Sequence, residues 1–259
     1  MARDTVHAVT IGWRTARWRH GVVIGLVLLG VCGAVASIGI LREALPLPYA
    51  LHGGLMLLAW AVLFPLGVIV ARYVKVTGDQ DFPRVVENLF WFNWHRALQY
   101  AGAAVALAAA IAIVAATGLR AHSAHAWLGR ATLLLLLVQV LMPQLRGSKG
   151  GPTDVTPRGD HYDMTRRRRI FEAAHKLIGV VALLAAAATI ATGLDIAAAP
   201  APLPVATGAL IAGLLAVAAW LELSGHHVDN YIALWGTDPS HPGNRRRLRR
   251  PADAGVRDA

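Results

Sequence analysis

Long apolar runs alternate with short polar stretches along the whole chain. Six runs stand out, at about 20–40, 51–73, 93–117, 124–145, 170–195 and 203–223, and each is apolar for about 20 residues or more. At 1.5 Å per residue, a helix of that length crosses a hydrocarbon core of about 30 Å. The pattern predicts an all-α membrane protein: a six-helix transmembrane bundle over residues 20–225. An N-terminal segment (1–19) precedes it and a basic tail (226–259) follows. The third, fifth and sixth runs are rich in Ala and Gly, which let membrane helices approach closely. Pro65 and Pro143 fall inside runs and predict bends. The aromatic stretch DQDFPRVVENLFWFNW predicts an interfacial segment before the third span.

Composition agrees with this reading. The chain is 56% hydrophobic and 15% charged, too apolar for a soluble domain. Its single cysteine, Cys32, lies in the first run, so neither an intrachain disulfide nor a cysteine metal site is expected. That first run is longer than the ~7–15 residues of a signal-peptide core, so it is expected to remain as a span. A net charge of +10 is compatible with nucleic acid, but the charges cluster between apolar runs. Membrane topology explains them, and no nucleic-acid partner is expected.

The basic residues set the orientation. They gather in the N-terminal segment (Arg3, Arg14, Arg17, Arg19), the second loop (Arg72, Lys75, Arg84), the fourth loop (Arg146, Lys149, Arg158, Arg166 to Arg169) and the tail from Arg245. The opposite side carries Arg42 and Arg120. The positive-inside rule then places both termini in the cytoplasm.

This orientation sorts four histidines that open four of the runs. His52 and His125 fall near the outer face, His95 and His175 near the inner face. An ionisable side chain inside a membrane is costly and points to function. Imidazoles on opposite faces of a porphyrin fill both axial positions of its iron, a closed arrangement suited to electron transfer. Two such pairs predict two haems with irons on the order of 20 Å apart. Gly129 and Gly179 lie one turn beyond His125 and His175, where each is expected to clear room for a cofactor, and Gly53 and Gly54 follow His52. Arg96, Lys176 and Arg130 lie beside the histidines as partners for propionates, although Arg96 and Lys176 read equally well as snorkelling to the inner surface. Trp60 and Phe64 fall midway along the second run, between the pairs. Met56 and Met142 are expected to serve packing. His122, in the outer loop, competes with His125 as a ligand but lacks a glycine one turn on. His161, His226, His227 and His241 are expected to be solvated, with His7 in the N-terminal segment and His20 at the inner edge of the first span.

The stretches LHGGLMLLAWAVLFPLGVIVARY, NWHRALQ, AHAWLG and AAHKLIG, in this order, resemble the second to fifth helices of the cytochrome b561 family. The resemblance covers about 20–225. It implies two b-type haems, one held by the second and fourth helices and one by the third and fifth, which matches His52 with His125 and His95 with His175. It also implies electron transfer across the membrane, in eukaryotic members often from cytoplasmic ascorbate. Arg72 and Lys75 match only part of the family's basic site for that donor. The segments NYIALWGTDPSHPGN and RGDHYDMTRRRR resemble those of bacterial relatives, which implies a bacterial inner membrane and no attached extracellular domain.

The resulting expectation is a transmembrane cytochrome. It takes electrons from ascorbate or a quinol and delivers them to a periplasmic acceptor, ferric iron or a redox protein. As an enzyme it reads as a ferric- or ascorbate-linked oxidoreductase. Its surroundings are membrane lipid, and homodimerisation stays open. The competing reading is a non-redox membrane anchor, or a haem-handling subunit of a larger complex.

Overall fold

A computed structural model describes residues 2–119, 121–150 and 158–238, with side chains from residue 17 onward. The expectations for Arg120, His7, His241 and the tail from Arg245 lie outside the described residues.

Among the described residues six helices are long and apolar enough to cross a membrane, and the chain is a multi-pass membrane protein. Helix α1 (Ala2–Arg42) is continuous through the segment that the sequence sets apart as 1–19, and its membrane-spanning part is Arg17–Arg42. The other spans are α2 (Leu47–Tyr73), α3 (Phe90–Thr117), α4 (Ala124–Leu145), α5 (Arg166–Ile196) and α6 (Pro202–Leu223). A short helix, α7 (Asn230–Trp235), follows. The aromatic run expected at the interface contributes the first turn of α3, preceded by turns from residue 78.

Local chemistry sets the ends. The Ser123 hydroxyl accepts from Ala126 N–H to start α4, and the Thr165 hydroxyl accepts from Arg168 N–H to start α5. Gly118, at φ 66°, ends α3 in a conformation that a side chain disfavours. Pro143 does not bend α4 midway; it lies in a terminal 3₁₀ turn, Met142–Leu145. Pro65 has no N–H, and the turn before it widens into a π segment, Leu58–Leu63, where Phe64 N–H donates to the Ala59 carbonyl five residues back.

Helix α2 packs between α1 and α3, α4 pairs with α5, and α6 rests against the second half of α2. The central core joins Ala59, Trp60 and Phe64 of α2 to Ala103 and Ala106 of α3, Leu136 of α4, and Ala182 and Ala186 of α5. The alanines admit the two large rings. Outward Leu and Val side chains such as Leu29, Leu134 and Leu184 stay exposed, as a lipid-facing surface requires. Gly53 and Gly54 do not open space for a cofactor. Side chains there would strike Leu41 and Ile38, so both glycines serve the packing of α1 on α2.

Residues 228–236, grouped by sequence with the basic tail, fold back and join the second and fourth loops in a cap. Lys75 Nζ donates to the Val228 carbonyl (2.7 Å), Glu87 N–H to the Ala233 carbonyl (3.0 Å), and Lys149 pairs with Glu87. The Tyr231 hydroxyl donates to the Tyr162 carbonyl (3.3 Å). His161, expected to be solvated, is 1% exposed, because Tyr231 and Trp235 of α7 enclose its ring. His226 and His227 are exposed, as expected.

This packing leads to two predictions. A Cβ at Gly102 would lie 2.8 Å from the Phe64 ring. Gly102→Val is therefore expected to cost about 1–3 kcal/mol, read as a lower thermal midpoint in detergent. In the cap, the Asp160 carboxyl is held below the usual range, first by the Ser148 backbone N–H and then by the Thr165 and Ser148 hydroxyls. A depressed carboxyl stabilises above its unfolded pKa of about 3.9, and the contribution is lost as pH falls through the folded value. Hydrogen exchange of the 158–165 loop is expected to be faster in Asp160→Asn near neutral pH, with the difference from the parent closing in acid.

Candidate functional site

The second to fifth spans bring the four histidines together as two pairs. His52 of α2 meets His125 of α4 with ring centres 6.1 Å apart and planes crossed at 89°. His95 of α3 meets His175 of α5 at 6.4 Å and 85°. Two imidazoles bound on opposite sides of one metal ion, each by a bond of about 2.0–2.1 Å, have ring centres about 6.3 Å apart. Both separations match that span.

The second nitrogen of three of the rings fixes the tautomer. His52 Nδ1–H donates to the Ala109 carbonyl of α3 (3.1 Å), and His95 Nδ1–H to the Gly67 carbonyl of α2 (3.0 Å). His125 Nδ1–H donates to the Thr189 carbonyl of α5 (3.0 Å). A carbonyl can only accept, so the proton resides on Nδ1 and the Nε2 lone pair stays available to a metal. His175 differs. Its Nδ1 is buried without a hydrogen-bond partner among the described residues, and its ring stacks on Phe171 at 5.3 Å and 19°.

The pairs lie at opposite ends of the antiparallel α2–α3 pair. His52 and the Gly67 carbonyl that orients His95 are separated by about 15 residues of one helix, roughly 22 Å of rise. Trp60 and Phe64 meet at 4.5 Å, their planes tilted by 53°, in the core between them.

Gly193 is a residue that sequence reading missed. A Cβ there would lie 2.7 Å from His125 Cε1 and 3.0 Å from its Nδ1, so bare backbone is what seats the ring. Its signal is faint: one glycine among many in an Ala-rich helix, a full span away from the histidine it serves. Gly129 and Gly179 face Thr189 and Gln139 of the partner helix, and Gln139 in turn donates to the His175 carbonyl (2.8 Å).

The cations named from sequence take separate places. Arg130 donates to the Leu119 and Ala121 carbonyls and lies over Trp127, tying down the loop between α3 and α4. Arg72 makes two hydrogen bonds to Glu222 (2.9 and 2.8 Å), joining α2 to α6. Lys176 is exposed next to His175. Arg96 lies over the Phe92 ring at 5.4 Å, and Arg146 lies over the same ring at 5.3 Å. Burial, followed by the charges of Arg168 and Arg96, holds the Arg146 guanidinium below its usual range. This group of three arginines, Arg96, Arg146 and Arg168, is more concentrated than spacing along the chain suggested.

The fold and site define a class: a six-span helical membrane protein with two histidine pairs, one toward each end of its central helices. No protein-family model matches the chain. It is 28% identical over 145 residues to the cytochrome b561, DM13 and DOMON domain-containing protein of Arabidopsis thaliana, an alignment covering 55% of this chain and 14% of that protein. It is 26% identical over 147 residues to ferric-chelate reductase 1 of Homo sapiens, covering 56% and 22%. A second Arabidopsis thaliana protein, with cytochrome b561 and DOMON domains, is 28% identical over 153 residues, covering 56% and 31%. The chain thus spans less than a third of the length of each of these relatives. It is similar to cytochrome b561 domain proteins and ferric-chelate reductases.

Proposed function

We propose that this chain carries electrons across a membrane through two b-type haems, one held by His52 and His125 and the other by His95 and His175. The observation that carries this reading is the repeated pair geometry: two separations that suit a bis-imidazole metal centre, with three of the four rings held in the tautomer that leaves Nε2 available. Among the described residues no group of three or more His, Cys, Asp or Glu side chains forms a metal site. Two histidines alone suit an iron whose four remaining ligands are porphyrin nitrogens. Each haem supplies a one-electron ferric–ferrous couple.

The chain's residues hold and insulate these centres. A haem held by a histidine on each side would have no position left for oxygen, and the apolar core around Trp60 and Phe64 keeps water out of the space between the pairs. The basic loops orient the His95–His175 end toward the cytoplasm, with both termini on that side. The Ala- and Arg-rich composition favours a bacterial inner membrane. The donor is ascorbate or a quinol on the inner side or in the membrane. The ferric-chelate reductases among the relatives favour ferric iron as the outer acceptor, ahead of a redox protein. Arg96, Arg146 and Lys176 would supply the inner centre with positive charge suited to propionates, and Arg130, beyond its bonds to the Leu119 and Ala121 carbonyls, would do the same at the outer one.

The test is a dithionite-reduced minus oxidised spectrum with a haem-to-protein ratio. Two haems per chain are expected, and a purified protein with one or none refutes the reading. His125→Ala and Gly193→Ala are each expected to remove one haem, and His175→Ala the other; loss of the same haem in all three refutes the pairing. The crossed ring planes predict strongly anisotropic low-spin ferric signals in electron paramagnetic resonance. Ordinary rhombic signals from both centres would show that the rings turn parallel once iron binds.

A further inference from the structure

The most completely buried large side chains in the described protein, Tyr231 and His161, lie in the cap, outside the helix bundle. They belong to a chain of contacts that runs from α7 into the first turns of α5. Trp235 Nε1–H donates to His161 Nδ1 (3.2 Å). An indole nitrogen only donates, so His161 Nδ1 must accept, and a neutral imidazole then carries its proton on Nε2. Nε2 lies 3.4 Å from the Glu172 carboxylate, and the same carboxylate oxygen accepts from Arg168 Nε at 3.1 Å. Arg168 in turn lies over the Phe171 ring at 5.5 Å, and Phe171 stacks on His175 at 5.3 Å. The Arg168 side chain is 9% exposed, and its Nη1 has no hydrogen-bond partner among the described residues.

A buried cation two ring contacts from an axial imidazole acts strongly on the charge of the metal, because little solvent screens it. Its position then matters more than its presence. On its own helix Arg168 is fixed by Glu172, and Glu172 takes its other support from His161, whose tautomer is set by Trp235. We infer that helix α7, through Trp235 and His161, is a positioning element for the inner redox centre, holding the Glu172–Arg168 pair against Phe171 and His175. The inference rests on the two-haem reading above. Trp235 and His161 are positioning residues, since neither touches His175. The cation they hold in place favours the ferrous state, because it opposes the extra positive charge of ferric iron.

Redox titration of the haem-loaded full chain tests this with three variants. Trp235→Phe keeps an aromatic ring but removes the donor. His161→Leu removes both nitrogens. His161→Gln retains an acceptor for Trp235 and a donor for Glu172. The expected result is a lower midpoint potential of the inner haem in Trp235→Phe and His161→Leu, an unmoved outer haem, and restoration in His161→Gln. Equal shifts of both haems, no shift in either variant, or a shift in His161→Gln as large as in His161→Leu would each overturn the inference. A parent chain that binds no haem would instead refute the function proposed above. The linkage is then read from hydrogen exchange: Trp235→Phe accelerating exchange in the first turns of α5 as well as in α7 supports it, and acceleration confined to α7 overturns it.

Discussion

A backbone carbonyl on a neighbouring helix decides which nitrogen of a histidine carries the proton, and the rest of the site depends on that choice. In an apolar interior a free imidazole can adopt either tautomer, and only one leaves Nε2 open. His52, His95 and His125 each spend Nδ1–H on a carbonyl across a helix interface. The orienting bond is therefore also a packing bond. If α2 and α3 separate, two rings lose their register together. A side-chain acceptor would have carried its own rotamer freedom and, if charged, a desolvation cost. A helical carbonyl carries neither.

Helix α2 has the busiest role in this arrangement. It presents His52 near one end and the Gly67 carbonyl near the other, with Trp60 and Phe64 between. Gly102 on α3 makes room for the Phe64 ring, and Gly54 on α2 lets α1 close over the outer half. The small residues in these spans thus serve different ends. Some bring helices together, one seats a large ring, and one, Gly193, seats a histidine.

The six spans were legible in the sequence because a bilayer imposes a length and an apolar content that short windows of residues record. The two-and-two sorting of the histidines was legible for a related reason: loop charge fixes direction, and direction fixes depth. Those signals are local, whereas what stayed hidden was relational. Nothing near Gly193 marks it as the seat of a ring on another helix. His161 sits between Asp160 and Tyr162 in a charged loop, and only the return of α7 from the far end of the chain buries it. Arg72 matches part of the resembled family's basic site, and nothing near it in the sequence announces that Glu222, 150 residues away, binds its guanidinium. Composition could not separate a folded cap from a tail, because 226–236 and the arginine-rich residues after it follow one another without a break.

The exchange of carbonyls between α2 and α3 has a consequence for how such a chain can vary. Each of these helices carries a ring for one pair and an acceptor for the other. An α-helix turns by about 100° per residue, so one residue inserted or deleted between His52 and Gly67, or between His95 and Ala109, would swing one site off the common interior face while the other stayed. The π segment at Leu58–Leu63 is where α2 already holds a widened turn, and it sets the phase between the two ends. Length changes are therefore tolerable in the loops and excluded from these two stretches, which makes the spacing of the histidines and their acceptors as much a part of the site as the side chains themselves.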